Sequence, residues 1–269
     1  MKKALKILAI ALLLAATSIP MQAQRRVVNY LPKYEQEPYH FGILIAFNDM
    51  MYTVKTVENY QNKPQPANSL PERDFVGTTT EIENLYVYNV ETRKEPGFTV
   101  GVIGSKRLGR YFDLRFIPSL SFGCRYLQYS INLDYIDDNT DDKLISLGTK
   151  SHGINTAFME FPLNVKYRSK RYNNIGAYLM AGVNPRLDLA SRKKNTIESG
   201  LVTKRFDFAS ELGVGFDFYN QWFKMGIEVK MSYGMLDIIN HASNDNALIY
   251  TSPIQKLSNK MFQISMLIE

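Results

Sequence analysis

Histidines, the side chains that most often perform acid–base chemistry, are few in this chain of 269 residues. The histidines are His40, His152 and His241, and general acid–base catalysis would pair one of them with a carboxylate such as Asp137 or Asp237. Such a pair must lie within hydrogen-bond reach, which no spacing in the sequence establishes. The motifs of serine hydrolases, zinc proteases, phosphate-binding loops and dinucleotide-binding folds do not occur. We therefore expect solvated residues and no enzymatic activity, with an enzyme at the rim of the fold as the alternative.

An acidic run over residues 137–142 resembles the start of a calcium-binding loop. Such a loop needs glycine at its sixth position and glutamate at its twelfth, and these positions hold Asp142 and Gly148. Cys124 is the single cysteine, which excludes an internal disulfide and a cysteine-based zinc cluster. We expect a solvated acidic loop, with weak divalent-cation binding as the alternative, and neither a bound metal nor a cofactor.

The first residues have the pattern of an export signal. Lys2, Lys3 and Lys6 precede an apolar run over residues 7–16, and Ala23 provides a small residue for cleavage. A run of about ten residues is too short to cross a bilayer as a helix. The sequence therefore predicts a cleaved signal peptide, with an uncleaved membrane anchor as the alternative.

The predicted organisation has three parts. Residues 1–23 form the signal peptide, residues 24–39 a periplasmic lead-in, and residues 40–269 the folded domain. The formal net charge of +6 includes three lysines of the signal peptide, so the mature chain carries +3. This small excess argues against a nucleic-acid partner.

The mature sequence alternates between apolar and polar residues. Phe223, Ile227 and Val229 share one parity, and Lys224 and Glu228 share the other, which places the two sets on opposite faces of a strand. No stretch of 18 apolar residues follows the signal peptide, so a transmembrane helix is not expected. Eight segments show the alternation: residues 41–48, 97–102, 112–126, 159–168, 175–184, 205–218, 222–235 and 261–268.

The connections between these segments alternate strictly between long and short. Residues 53–96 and 134–155 are long connections, whereas Asn220 and Gln221 alone join the sixth and seventh segments. This pattern is typical of a membrane barrel with long extracellular loops and short periplasmic turns. We predict an all-β fold, an eight-stranded antiparallel up-and-down transmembrane β-barrel in the cell outer membrane. A soluble β-sandwich or lipocalin-like barrel is the alternative.

Two features of the sequence do not fit a regular barrel. Pro118, Pro162 and Pro185 lie within predicted strands although proline cannot donate to the ladder, and we expect β-bulges to absorb them. The third strand is too long for the bilayer, so part of it is expected to stand above the membrane as a hairpin with the fourth.

In a membrane barrel the apolar parity faces lipid and the polar parity fills the lumen. Eight strands leave room only for side chains, and buried charges must be paired. We therefore expect an ion-pair network that plugs the barrel, with an ion or proton path as the alternative. The predicted members of this structural network are Arg115, Glu160, Lys166, Glu211, Lys224, Glu228 and Lys230.

Several strand motifs resemble those of PorT-type outer-membrane β-barrel proteins. Residues 38–42, followed by Asn48 and Met50, resemble the first strand of that family. Residues 160–168 resemble the fourth strand and residues 223–234 the seventh.

The resemblance implies a component of the type IX secretion machinery, which exports folded cargo proteins. It implies outer-membrane lipid and other envelope proteins of the secretion machinery as partners, without a small-molecule substrate. The family offers no catalytic residues to transfer. A structural or adhesive outer-membrane barrel unrelated to secretion is the alternative.

Overall fold

A computed structural model describes residues 28–66, 82–137, 140–190, 203–239 and 248–269. The predicted signal peptide lies outside these residues. The strands are β1 (Tyr39–Thr56), β2 (Gln65–Pro66), β3 (Ile82–Arg107), β4 (Phe112–Phe116), β5 (Ser119–Asp137), β6 (Thr140–Glu160), β7 (Leu163–Arg168), β8 (Ile175–Asp188), β9 (Phe206–Tyr219), β10 (Lys224–Gly234) and β11 (Ile254–Ile268). Short helices are α1 (Leu248–Thr251) and the 3-10 helices Tyr34–Gln36 and Tyr60–Asn62.

The sheet closes on itself. Strand β1 pairs antiparallel with β11 on one side, with Ile43 opposite Ile268, and with β3 on the other, with Ile43 opposite Val102. The ring continues from β11 through β10, β9 and β8 to β6 and β7, and from these through β5 and β4 to β3, with every pairing antiparallel. The predicted all-β antiparallel barrel is therefore confirmed. A closed barrel leaves no free edge along the ring of strands, so the backbone polar groups pair within the wall.

Eleven strands replace the predicted eight because two of the predicted strands are broken at prolines and the two-residue β2 pairs with β3 outside the ring. The third consists of β4 and β5, and the fourth of β6 and β7. Pro118 and Pro162 lie within the breaks, since neither nitrogen can donate to the ladder. The wall stays continuous there: Ile117 N donates to Pro162 O at 3.2 Å and Phe161 N to Pro185 O at 3.0 Å. Pro185 remains inside β8, opposite Phe208.

Two predicted long connections are largely strand. Strand β1 continues to Thr56 and β3 already begins at Ile82, and β5 and β6 meet where Asp137 pairs with Thr140. The pairing of β3 with β5 shifts register three times, and each shift interrupts the alternation that makes a strand visible in sequence. The expected hairpin between the third and fourth strands is present as the outer parts of β5 and β6.

The two ends of the barrel differ. Short turns join β3 to β4, β7 to β8 and β9 to β10 at one end, here called the turn end. Strands β3, β5 and β6 extend furthest toward the opposite end, the loop end. In the described residues no helix has the length and apolar character to span a membrane.

The side chains inside the barrel change character along its axis. On β5, Ser121 and Arg125 point inward while Leu120 and Phe122 point outward. Further along the same strand the inward residues are apolar. We call the lower part, around Ser119–Arg125 of β5, the charged-core section, and the upper part the apolar-core section. The buried core of the latter comprises Tyr52, Leu85, Val87, Leu127, Tyr129, Ile131, Ile238, Ile239, Ile249, Tyr250, Ile254 and Leu257.

Candidate functional site

All seven residues of the predicted network lie in the interior of the charged-core section. Strand alternation places them there, since each shares a parity with buried neighbours. None is more than 5% exposed. The structure arranges the enclosed charges in three layers along the barrel axis. The seven predicted residues lie in the two layers nearer the turn end, and the third layer consists of residues that the sequence analysis did not single out.

The layer nearest the turn end is centred on Arg115 and Glu228. Arg115 Nη1 donates to Glu228 Oε2 at 2.8 Å, and Tyr178 Oη donates to the same oxygen at 2.8 Å. Arg115 Nη2 also lies 3.5 Å from Glu269 Oε1. A guanidinium presents several donors in a fixed plane, so it can bind two carboxylates that are remote from each other in the sequence.

Two lysines complete this layer. Lys166 Nζ lies 2.6 Å from Asp217 Oδ2 and 3.6 Å from the centre of the Tyr178 ring. Lys224 pairs with Glu269, the residue that follows the last strand. These pairs join β4, β7, β9, β10 and the chain end, so they cross the barrel rather than follow one strand.

The middle layer surrounds Glu211. Lys230 Nζ lies 3.1 Å from Glu211 Oε1. The side-chain amides of Asn164 and Asn184 donate to the two Glu211 oxygens at 3.0 and 2.9 Å. The Glu211 carboxylate therefore has both a counter-ion and neutral donors.

Glu160 lies in the same middle region but differs from every other buried acid. Neither of its carboxylate oxygens makes a hydrogen bond of acceptable geometry with a described residue. Seven buried cations, counting Arg115, each have a carboxylate within ion-pair distance, and each of those carboxylates belongs to a different residue. Among the described residues Glu160 is thus the interior acid left without a cation.

The layer nearest the loop end was missed by the sequence analysis. Arg186 donates from Nε and Nη2 to Asp207 Oδ2 at 2.9 and 2.7 Å. Arg125 Nη2 donates to Asp188 Oδ2 at 2.9 Å and pairs with Asn259. The alternation in the sequence did indicate an inward position for Arg125, since this residue shares the polar parity of its strand. Arg186 and Asp188 lie beyond the predicted end of the fifth strand, so nothing in the pattern assigned them a side.

The apolar-core section closes the interior at the loop end. Helix α1 contributes Ile249 and Tyr250, both fully buried. The Tyr129 hydroxyl donates to the Tyr250 carbonyl at 3.0 Å, and the two rings meet at 5.0 Å. Beneath them Met50, Phe158 and Met261 form a smaller apolar cluster.

The lead-in closes the turn end. The Tyr34 hydroxyl donates to Glu269 Oε2 at 2.9 Å, and its ring stacks on His40 at 4.0 Å. The Tyr219 hydroxyl donates to Glu35 Oε1 at 3.0 Å. Burial and the nearby Glu269 carboxylate raise the pKa of the Tyr34 hydroxyl far above its usual value, so it remains a neutral donor.

The candidate catalytic residues are not brought together by the described part of the chain. His40 lies against Tyr34 at the turn end. Asp237 accepts backbone hydrogen bonds from Ile239 N and Leu257 N at 3.3 and 3.0 Å, which is a structural role at the loop end. His241, and the side chains of His152 and Asp137, lie outside the described residues, as do the side chains of the acidic run at 137–142. That the protein is not an enzyme and binds no cofactor or metal stays a prediction.

The chain was compared with known proteins. The family model for an outer membrane protein beta-barrel domain matches residues 36–240. A search among curated proteins found no significant match. The chain belongs to this outer-membrane β-barrel family.

Solved structures similar to this chain include three outer-membrane proteins. Neisserial surface protein A is 8% identical, with 86% of this chain and 99% of that one covered and a TM-score of 0.38. OprG from Pseudomonas aeruginosa is 12% identical, with 86% and 93% covered and a TM-score of 0.37. The outer membrane protease OmpT from Escherichia coli is 9% identical, with 90% and 98% covered and a TM-score of 0.25. The fold assignment here rests on the strand pairing and the family match.

Membership of this family fixes the surroundings of the barrel. The outward residues of the charged-core section, such as Phe47, Val100 and Phe216, are exposed and apolar because they face lipid. The turn end faces the periplasm and the loop end the cell exterior, as is general for such barrels. The protein is an outer-membrane barrel with a charged, side-chain-filled lumen.

Proposed function

We propose that this protein is a non-enzymatic, non-conducting outer-membrane barrel of the PorT type, which assists type IX protein secretion through contacts with other envelope proteins. The observation that carries the proposal is the filled interior. Charged side chains occupy three successive layers, and an apolar cluster and the lead-in lie above and below them.

Ion conduction through these layers would have a high free-energy barrier. A passing ion would have to separate buried pairs such as Arg186–Asp207 or Arg115–Glu228, and breaking one such pair costs roughly 3–5 kcal/mol. An eight-stranded barrel has no spare width beside its own side chains. This favours a role for the outer surfaces of the barrel over a role for its lumen.

The resemblance of the first, fourth and seventh strands to PorT-type proteins supports the choice of secretion among the possible surface roles. Residues 160–168 and 223–234 supply both the motifs and part of the lumen network, including Lys166 and Lys230. These residues stabilise the barrel in this proposal, and partners bind elsewhere.

Deletion of the gene tests the proposal directly. Cargo proteins with type IX signals should accumulate in the periplasm, and the intact gene should restore their export. A matched strain should carry the full-length protein with a lumen substitution that leaves the barrel folded, which should export normally. Normal cargo export after deletion would overturn the secretion role.

Two biochemical measurements separate the parts of the proposal. In planar bilayers the purified protein should produce no conductance steps, and regular steps would contradict the non-conducting barrel. Affinity purification in mild detergent should recover other envelope proteins of the secretion machinery in constant ratio.

A structural or adhesive barrel is the second candidate. The length of the apolar-core section favours this second candidate. Strands β3, β5 and β6 extend well beyond the lipid-facing residues and present a broad surface outside the cell. Intact cargo export combined with altered surface binding after deletion would select this candidate.

A further inference from the structure

A basic cleft opens at the turn end, between the lead-in and two periplasmic turns. Its volume is about 390 Å³. Glu35 of the lead-in, Arg110 and Tyr111 of the β3–β4 turn, and Lys170 and Arg171 of the β7–β8 turn contribute to its walls. The cleft faces the periplasm and borders the enclosed charges of the lumen at Arg168.

Part of the charge in this cleft is already neutralised or used for structure. Arg168 Nε, at the back of the cleft, lies 2.7 Å from Asp113 Oδ2. Arg171 Nη1 donates to Leu31 O at 3.3 Å, and its guanidinium lies 3.9 Å from the centre of the Tyr219 ring. Arg171 therefore anchors the lead-in.

Arg110 and Lys170 are the cations that remain available. Both are exposed, and neither forms an ion pair with any carboxylate in the described ranges. The Arg110 guanidinium lies 5.4 Å from the centre of the Tyr111 ring, which holds it beside the cleft. The one carboxylate in the described lining, Glu35, accepts a hydrogen bond from the Tyr219 hydroxyl, and the cleft keeps an excess of positive charge. This excess favours an anion, and a phosphate group suits both the planar guanidinium and the ammonium.

The position of the cleft at the membrane surface favours a phosphate that belongs to a lipid head group. Tyr111 lies 6.4 Å from Tyr167, which in turn lies 5.2 Å from Phe112, ring centre to ring centre. These rings are partly exposed on the outside of the wall, where barrels carry the aromatic girdle at head-group depth. Leu163 and Val165 continue the same outward surface toward the middle of the membrane.

We infer that this cleft binds the phosphate of a phospholipid in the periplasmic leaflet. Arg110 and Lys170 contact the phosphate, and an acyl chain lies along Tyr167, Val165 and Leu163. The inference depends on the barrel and its orientation, and it is independent of the secretion role. It assigns a specific lipid site to the face where the lead-in meets the turns.

Native mass spectrometry of the detergent-purified full chain tests this site with phosphatidylglycerol as the probe. The double variant Arg110→Gln, Lys170→Gln should bind roughly tenfold more weakly, since each basic residue near an anionic head group contributes a factor of several. The matched control Arg93→Gln, Lys94→Gln removes the same residue types from the exposed outer part of β3 and should leave binding unchanged. Heat-dependent gel mobility should show that both variants remain folded barrels.

Equal binding by the two double variants would overturn the inference. A second arm adds inorganic phosphate to the wild-type complex at the same concentration as the lipid. Retention of the lipid supports a phospholipid site, because the apolar wall contributes to binding. Displacement at that concentration would show a soluble-anion site instead and would overturn the assignment to lipid.

Discussion

The charged-core and apolar-core sections of this barrel have opposite chemistry inside, although the same strands build both. On β5, Ser121 and Arg125 face inward in the lower section, and Leu127, Tyr129 and Ile131 face inward in the upper one. This difference between the two interiors follows from the solvent that surrounds the outer face of the wall. Where lipid surrounds the wall, apolar residues face out and polar ones are enclosed, and where water surrounds it the usual arrangement of a soluble protein returns.

The two sections are also held together by different forces. Lipid contributes little hydrophobic drive for packing within the bilayer, so the charged-core section depends on ion pairs and hydrogen bonds among enclosed side chains. The apolar-core section is stabilised by burial of apolar surface away from water. Substitutions of one type should therefore have different consequences in the two sections.

The largest effect is expected from removal of a lumen cation. Arg115→Met leaves Glu228 and Glu269 without their guanidinium, and should lower the free energy of unfolding by about 3–5 kcal/mol. Urea unfolding in lipid vesicles measures this. Arg93→Met is the matched control on the outer surface of the barrel. There the Arg93–Glu95 pair at 3.3 Å is exposed and contributes about 1 kcal/mol or less. Equal losses in the two variants would contradict the contrast between enclosed and exposed charges.

A leucine pair tests the source of apolar stabilisation. Leu127→Ala opens a cavity in the fully buried core of the upper section and should cost about 3 kcal/mol. Leu179→Ala, on the lipid-facing side of β8, should cost about 0.5 kcal/mol because acyl chains fill the space. The same unfolding measurement compares the two variants. A larger loss of stability at Leu179 would contradict the conclusion that Leu179 faces lipid and Leu127 lies in a water-excluding core.

Outward-facing positions provide a third test. Val229→Arg places a charge near the middle of the lipid-facing part of β10 and should destabilise the barrel by about 2–3 kcal/mol. Gln128→Arg, on the outer side of β5 in the upper section, should change stability by less than about 0.5 kcal/mol. Folding yield into vesicles and urea midpoints report both. Tolerance of Arg at 229 would mean that this face does not meet hydrocarbon.

The smallest effect, and one of opposite sign, is expected at Glu160. Replacement by Gln removes an enclosed carboxylate that has no ion pair among the described residues, and should raise stability by about 1 kcal/mol. Glu211→Gln is the control, because Glu211 is paired with Lys230 and its loss should destabilise. Destabilisation by Glu160→Gln would show that the ionised carboxylate contributes to stability and would contradict this prediction.

Much of the lower section could be predicted from sequence. The seven predicted lumen residues lie inside because alternation has a fixed period of two, and Phe223 and Ile227 face outward for the same reason. The alternation does not reveal which cation pairs with which acid. Arg115 and Glu228 are 113 residues apart, and closure of the barrel brings them together.

The upper section was harder to predict. Register shifts in β3 near residues 82–84, 87–89 and 94–98 break the alternation, so this region reads as a loop in the sequence. Glu35 and Tyr34 fall in a segment with no regular pattern. Their contacts with Glu269 and Tyr219 form where the lead-in packs against the rim of the closed barrel.

By itself the sequence determined the class of structure, the sidedness of each regular strand and the presence of enclosed charge. These follow from local period and residue type, since a strand exposes its alternate side chains to opposite surroundings wherever it lies. Tertiary structure decided the partners of the charges, the lack of an ion pair to Glu160 among the described residues, and the closure of both ends. Those depend on which strands become neighbours and at what register, and such contacts join residues that are remote along the chain.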